Sequence, residues 1–341
     1  MGSRPASRHP TEEVPLEPGR PLPEAWSVTL DKTHALTLPR VAVVIPTFNR
    51  WPYVREAIDS VLAQTYPNVE CMVVDDASTD GTSEFLANAY GNRIRLITKA
   101  KNEEKSAARN DGIRSAQAAF VCLLDSDDLL TPQSIEARVR VFLDDPGFDG
   151  VVYGPLISEQ DPAPVRPASG RWPEGDVLDA YIKDRFVRNP GFLISTDNML
   201  RYGMYRDDLT HREDVDLLIR LACRLPFKCC RIPVARVRRV DQSASLDHRK
   251  YLQQGDRMLS CLRTDPHVMQ RLGKGFVDVE FIEAKELARA RYRTEDYRAF
   301  RRSYLRLCRQ WPARMLVEGR FLRRFLVSLL RPDGAIALKQ S

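Results

Sequence analysis

The sequence predicts an α/β protein: a mostly parallel central sheet flanked by helices, followed by a basic helical C-terminal region. Three observations predict it. Short, nearly continuous apolar runs alternate with helical stripes from residue 40 to residue 155. Strands with no polar alternation are those buried on both faces of a parallel-type sheet. Residues 247–330 are then helical in pattern and rich in arginine.

The elements follow in order. "VAVVIP" (41–46) reads as a buried strand stopped by Pro46. "YVREAIDSVLAQT" (53–65) carries a helical stripe of Val54, Ile58, Val61 and Leu62. "VECMVVDD" (69–76) is a second strand, "SEFLANAYG" (83–91) a helix closed by Gly91, and "IRLITK" (94–99) a third strand. "KSAARNDGIRSAQ" (105–117) is a helix and "AFVCLLD" (119–125) a fourth strand. Thr131 is expected to cap a helix over 133–143, with Pro132 in its first turn. "GVVYGP" (150–155) is a fifth strand. Beyond it come a Pro- and Gly-rich loop (161–175), a helix near 177–187, an amphipathic helix over 211–223 and a basic strand over 228–240.

Composition sets the class. Of 341 residues, 43% are hydrophobic and 29% charged, enough for a sizeable core. The formal net charge of +6 is mild, and no zinc-finger or RNP-type signature accompanies it, so nucleic acid is not an expected partner. Seven cysteines without a CxxC pair suggest a reducing compartment. No apolar stretch reaches membrane-spanning length, and the N-terminus has no signal-peptide core. Residues 1–38 read as a disordered leader, and a cytoplasmic location is expected.

In parallel sheets, ligands bind beyond the carboxyl ends of the strands. Three segments reach that edge: Pro46, Thr47 and Asn49 after the first strand, Asp75 and Asp76 at the end of the second, and Asp125 to Asp128 after the fourth. Hard divalent cations prefer oxygen ligands, usually one or two carboxylates plus substrate phosphates. Asp125 and Asp127 would share a side if the chain stayed extended, and could hold one ion against a diphosphate. The alternative is a polar turn capping the next helix. Asp75 and Asp76 suit a base N–H or a ribose hydroxyl, or equally a turn. Arg109 could grip a phosphate, whereas Lys105 reads as a solvated helix face. Glu213 and Asp214 open a helix, where the dipole favours them without any catalytic role; a proton-accepting role stands level with that reading.

Together, "VVIPTFNR", "AIDSVLAQTYPNVECMVVDDASTDGT", "ARNDGIRSA", "LLDSDDLLTP" and "REDVDLLIRL" resemble, in order and spacing, the family 2 glycosyltransferases over residues 40–240. The resemblance implies the Rossmann-like GT-A fold, a nucleotide-sugar donor (UDP-linked expected), inversion at the anomeric carbon and a glycan or lipid-linked glycan acceptor. It implies that Pro46, Thr47 and Asn49 form a nucleotide loop and that Asp76 reads the base with Asp75 supporting. Arg109 would contact phosphate. Asp125, Ser126 and Asp127 would be the DxD metal motif for Mn²⁺ or Mg²⁺, with Asp128 a third metal ligand, a ribose contact or part of a turn. Asp214 would be the base, with Glu213 its neighbour.

The chain departs from the pattern twice. Glu104 stands where relatives commonly carry glycine, and Asp241 stands near a late histidine position. Domain limits of 39–245 for the catalytic part and 246–341 for the basic helices follow. Those helices could lie on an anionic membrane surface or pack on the catalytic domain. Among the rivals, a degenerate scaffold of the same fold keeps every acid. A sugar nucleotidyltransferase would need a Gly-rich loop that "IPTFNRWPY" lacks.

Overall fold

The computed structural model describes residues 38–159, 161–164, 167, 169–238, 248–254 and 256–331. The expected leader up to residue 37 and Asp241 lie outside these residues. The strands are β1 (Val41–Thr47), β2 (Val69–Asp75), β3 (Arg95–Thr98), β4 (Phe120–Leu123), β5 (Leu129–Leu130), β6 (Val151–Tyr153), β7 (Leu156–Ser158), β8 (Asp161–Pro164), β9 (Phe192–Ser195), β10 (Phe227–Cys229) and β11 (Ala235–Val237). A seven-stranded sheet runs β10-β6-β9-β4-β1-β2-β3, and a four-stranded sheet runs β5-β11-β7-β8.

β1 is buried along its whole length, as its unbroken apolar run requires. It pairs in parallel with β2, bringing Thr47 level with Asp75, and with β4, bringing Val44 level with Leu123. The next backbone N–H, from Leu124, still reaches Val44 O at 3.0 Å. This register carries Thr47, Asp76 and Asp125 to one edge.

Helices α1 (Tyr53–Leu62), α2 (Thr82–Tyr90), α3 (Glu104–Ser115) and α4 (Ser134–Asp144) connect the parallel strands. Where α3 crosses β1, a Cβ on Gly112 would stand 2.3 Å from Val44 Cγ1. The helix can sit this close only because the residue has no side chain. Then follow α5 (Leu178–Asp184), α6 (Thr196–Arg201) and α7 (Glu213–Ala222).

Several expectations are corrected. The helix after the acidic run begins at Ser134 and is preceded by Gln133; the Thr131 hydroxyl instead donates to Pro233 O at 2.7 Å. β9 was not foreseen, and it runs antiparallel to both β4 and β6. Buried Arg138 fixes it, donating to Pro190 O at 3.2 Å and Phe192 O at 2.8 Å. The basic strand expected over 228–240 is two strands in different sheets, separated by Arg231 in the left-handed region (φ 61°) and by Pro233.

The C-terminal helices are α8 (His248–Gln254), α9 (Arg257–Arg263), α10 (Pro266–Leu272), α11 (Phe276–Arg293), α12 (Tyr297–Gln310), α13 (Pro312–Met315) and α14 (Gly319–Leu329). Met258, Leu262, Val268 and Val279 belong to the main core, whereas Phe300, Tyr304 and Phe321 form a second core among α11, α12 and α14. Leu322, Leu326 and Leu329 remain exposed on α14, beside Leu316, Val317 and Leu330. Among the described residues no helix is long and apolar enough to cross a membrane.

Candidate active site

A cleft of about 860 Å³ follows the carboxyl edge of the large sheet. Its floor includes Thr47, Asp76 and the run Asp125 to Asp128. The chain does not stay extended there. After β4 it turns, with Asp128 N–H donating to Asp125 O at 3.0 Å. The three acids therefore fan out around one turn instead of alternating. Arg238 clamps the turn from behind: its backbone N–H meets Asp128 Oδ1 at 3.0 Å, and its Nε meets Asp127 O at 2.5 Å. Burial, then the charges of Asp125 and Asp127, push the Asp128 carboxyl up to about 8.

Arg109 on α3 joins this turn to α7. Its Nη1 donates to Glu213 Oε1 at 2.9 Å and its Nη2 donates to Asp125 Oδ1. The Arg109 guanidinium also lies 5.0 Å from the centre of the Tyr205 ring. Lys105, one turn earlier, reaches Glu213 at 2.6 Å. Burial alone would raise the Glu213 pKa, but these two cations outweigh it and bring the group down to about 2. Its neighbour Asp214 is half-buried and shifts the other way: burial, then the Glu213 charge, raise it. One Asp214 oxygen accepts the Val215 N–H at 2.8 Å. Adjacent carboxylates are thus driven apart, one more acidic and the other more basic than usual.

Residues 42–209 match the family described as Glycosyl transferase family 2. Residues 42–209 thus form a glycosyl transferase family 2 domain. An uncharacterized glycosyltransferase of Rickettsia felis is 39% identical over 133 residues, which is 38% of this chain and 22% of that protein. The chondroitin synthase of Pasteurella multocida is 34% identical over 118 residues, 34% of this chain and 12% of that protein. The chain thus spans well under half the length of these relatives. The crystal structure of S. aureus TarS 1-349 in complex with UDP-GlcNAc superposes with a TM-score of 0.58 at 19% identity, covering 71% of this chain and 72% of that one. The fold expected from the sequence, GT-A, is the fold observed.

Within this glycosyltransferase domain, the expected residues fall into two groups. Pro46, Thr47, Asp76, Arg109, Asp125, Ser126, Asp127, Asp128, Glu213 and Asp214 all line the cleft. Asp76 is buried and accepts the Glu103 N–H at 3.0 Å. Asn49 and Asp75 are not lining residues. Asn49 takes the Thr79 N–H at 2.8 Å and Asp75 takes the Ser78 N–H at 3.1 Å, so both brace the loop that carries Asp76. Arg109 was expected against phosphate, yet both its terminal nitrogens are occupied by carboxylates. Lys105 is no mere solvated face, since it pairs with Glu213.

Glu104 does more than replace a glycine. It keeps the left-handed backbone (φ 69°) that glycine favours, at the cleft wall. A non-glycine residue there costs roughly 1–2 kcal/mol.

Sequence reasoning missed the far wall. Tyr181, Arg185 and Asn189 line it, together with Lys250, Tyr251 and Arg293 from the C-terminal helices. Glu283 of α11 anchors that wall, accepting from Arg212 at 3.1 Å and from Arg185 at 3.2 Å. No local motif announces contacts between residues so distant in sequence.

A divalent ion fits this donor set in a restricted way. Among the described residues no three His, Cys, Asp or Glu side chains form a metal-binding cluster. Asp125 and Asp127 offer two carboxylates on one turn, the number such an ion takes when phosphates complete its shell. Asp128 spends an oxygen on the Arg238 N–H instead.

Proposed function

We propose that the protein transfers a sugar from a nucleoside-diphosphate donor to an acceptor hydroxyl, inverting the anomeric centre. The observation that supports this best is Arg109, which ties the acidic turn and the Glu213–Asp214 helix to one cleft. Pro46, Thr47 and Asp76 hold the nucleoside, with Asn49 and Asp75 fixing their loops. A Mn²⁺ or Mg²⁺ ion at Asp125 and Asp127 would supply Lewis-acid stabilisation of the departing diphosphate. Glu213 and Arg109 are positioning residues that keep the acids in register.

Asp214 takes the proton from the acceptor hydroxyl. The hydroxyl oxygen bonds to the anomeric carbon as the bond from that carbon to the diphosphate oxygen breaks. A raised pKa suits this work, because a general base is most effective when its pKa approaches the working pH. A structural neighbour solved with UDP-GlcNAc makes UDP-linked sugars the first donors to test. The test is hydrolysis of UDP-, GDP- and dTDP-linked sugars with Mn²⁺ present. Release of nucleoside diphosphate from one of them supports the reading, and inertness towards all of them favours the scaffold alternative. The acceptor is a glycan or a lipid-linked glycan.

A second part of the reading is peripheral association with an anionic membrane. Leu322, Leu326 and Leu329 recur at helical spacing on α14 and are exposed, with Arg320, Arg323 and Arg324 interspersed. α11 meanwhile packs on the catalytic domain, so the tail serves both of the roles weighed for it. Liposome flotation of the full chain, wild type against Leu322→Glu with Leu326→Glu, tests this. Equal flotation of the two proteins contradicts it.

A further inference from the structure

We propose that Tyr181, Arg185 and Asn189 form an oxyanion subsite for the acceptor, so that the accepting hydroxyl belongs to an anionic molecule. The inference rests on the transferase reading above and adds the chemical class of the acceptor.

The argument begins with hydrogen bonds. The large majority of buried side-chain polar atoms in folded proteins have partners. Here the Tyr181 hydroxyl, the Asn189 Nδ2 and the Arg185 Nε and Nη1 are buried with no partner among the described residues. All three side chains line the cleft. Their other polar atoms are engaged: Asn189 Oδ1 accepts from the Tyr205 hydroxyl at 2.9 Å, and Arg185 Nη2 donates to Glu283 at 3.2 Å. The atoms left over are amide and guanidinium N–H donors and a hydroxyl that can donate. An acceptor-only group, a phosphate or a carboxylate, complements such a set.

Charge points the same way. Arg185 and Arg212 share the single carboxylate of Glu283, and exposed Arg188 lies between Arg185 and Asn189 in the chain. Glu286 also lies 3.9 Å from Arg212. The wall is thus short of negative charge. It also shares the cleft with the proposed base: Tyr181 and Asp214 both line it and interact electrostatically. Arg185 holds a left-handed backbone (φ 50°) at the end of α5, a conformation that costs a non-glycine residue free energy and recurs at functional sites.

The test uses donor hydrolysis, in which water replaces the acceptor, with the nucleotide sugar saturating so that the diphosphate subsite is filled. Inorganic phosphate, acetate and glycerol are added separately at constant ionic strength. Phosphate or acetate should inhibit without competing with donor, glycerol should not, and the stronger anion identifies the acceptor group. In Tyr181→Phe and Arg185→Gln the inhibition constant should rise roughly tenfold, the loss of one charge-assisted contact. Tyr181→Phe removes only a hydroxyl without a partner among the described residues, so it guards against a folding defect. Inhibition that competes with donor, equal inhibition by glycerol, or unchanged constants in both variants overturns the subsite. If wild type hydrolyses no donor at all, the transferase reading falls and this inference falls with it.

Discussion

Arg109 Nη1 donates to Glu213 Oε1 at 2.9 Å, and both side chains are buried. Through the other arm of the same guanidinium, α7 is joined to the acidic turn after β4. Arg109→Ala should therefore destabilise the fold by about 3–5 kcal/mol, because it strips a buried carboxylate of a partner. Arg109→Lys should recover little, since an ammonium cannot fork to two carboxylates. Denaturant unfolding of the two variants checks both expectations.

Glu213 predicts how stability depends on pH. Its carboxyl is held at about 2 in the folded protein, below the ordinary glutamate range of the unfolded chain. The folded state therefore binds fewer protons there. The contribution is full above the ordinary range and is lost as pH falls towards 2. Thermal melts from pH 6 down to pH 3 should fall more steeply for wild type than for Glu213→Gln, which has no proton to take up at that position.

Asp214 shifts the opposite way, and its consequence is catalytic. Burial and the Glu213 charge raise it, so the proposed base holds its proton to a higher pH than an ordinary aspartate does. The acid limb of the transfer rate should lie above the usual aspartate range. Asp214→Asn should lose roughly a hundredfold in rate or more, about 3 kcal/mol or above. A pH–rate profile of wild type locates the limb, and the residual rate of the variant should lack it.

Gly112 offers a prediction away from the chemistry. A methyl group there would meet Val44 at 2.3 Å on the central strand. Gly112→Ala should cost about 1–3 kcal/mol by overpacking, against the usual gain from replacing glycine in a helix. Urea unfolding with an unchanged m-value would show that stability, not the denatured state, had moved.

What the sequence made legible follows physical lines. Strands such as Val41–Thr47 could be read because burial on two faces forces a continuous apolar run. The acids could be read because such runs deliver them to a known edge. The turn at Asp125–Asp128 stood only as one of two alternatives, since the sequence does not mark where pairing with β1 ends. β9 is four residues long, and nothing in "FLIS" encodes that it runs antiparallel. The far wall was invisible for a different reason. Arg212 and Glu283 lie 71 residues apart, and their pairing appears only once α11 is folded against α5. Asp75 was expected to support Asp76 and braces its loop, while the Asn49 side chain meets that same loop, a contact between strand ends that the sequence does not display.

Calorimetric titration of UDP-GlcNAc into wild type, Asp127→Asn and Asp214→Asn, each with and without Mn²⁺, tests the central claim most directly. The account predicts Mn²⁺-dependent binding in wild type and in Asp214→Asn, and loss of that dependence in Asp127→Asn. Donor affinity that is unchanged in Asp127→Asn, with Mn²⁺ still required, would contradict it.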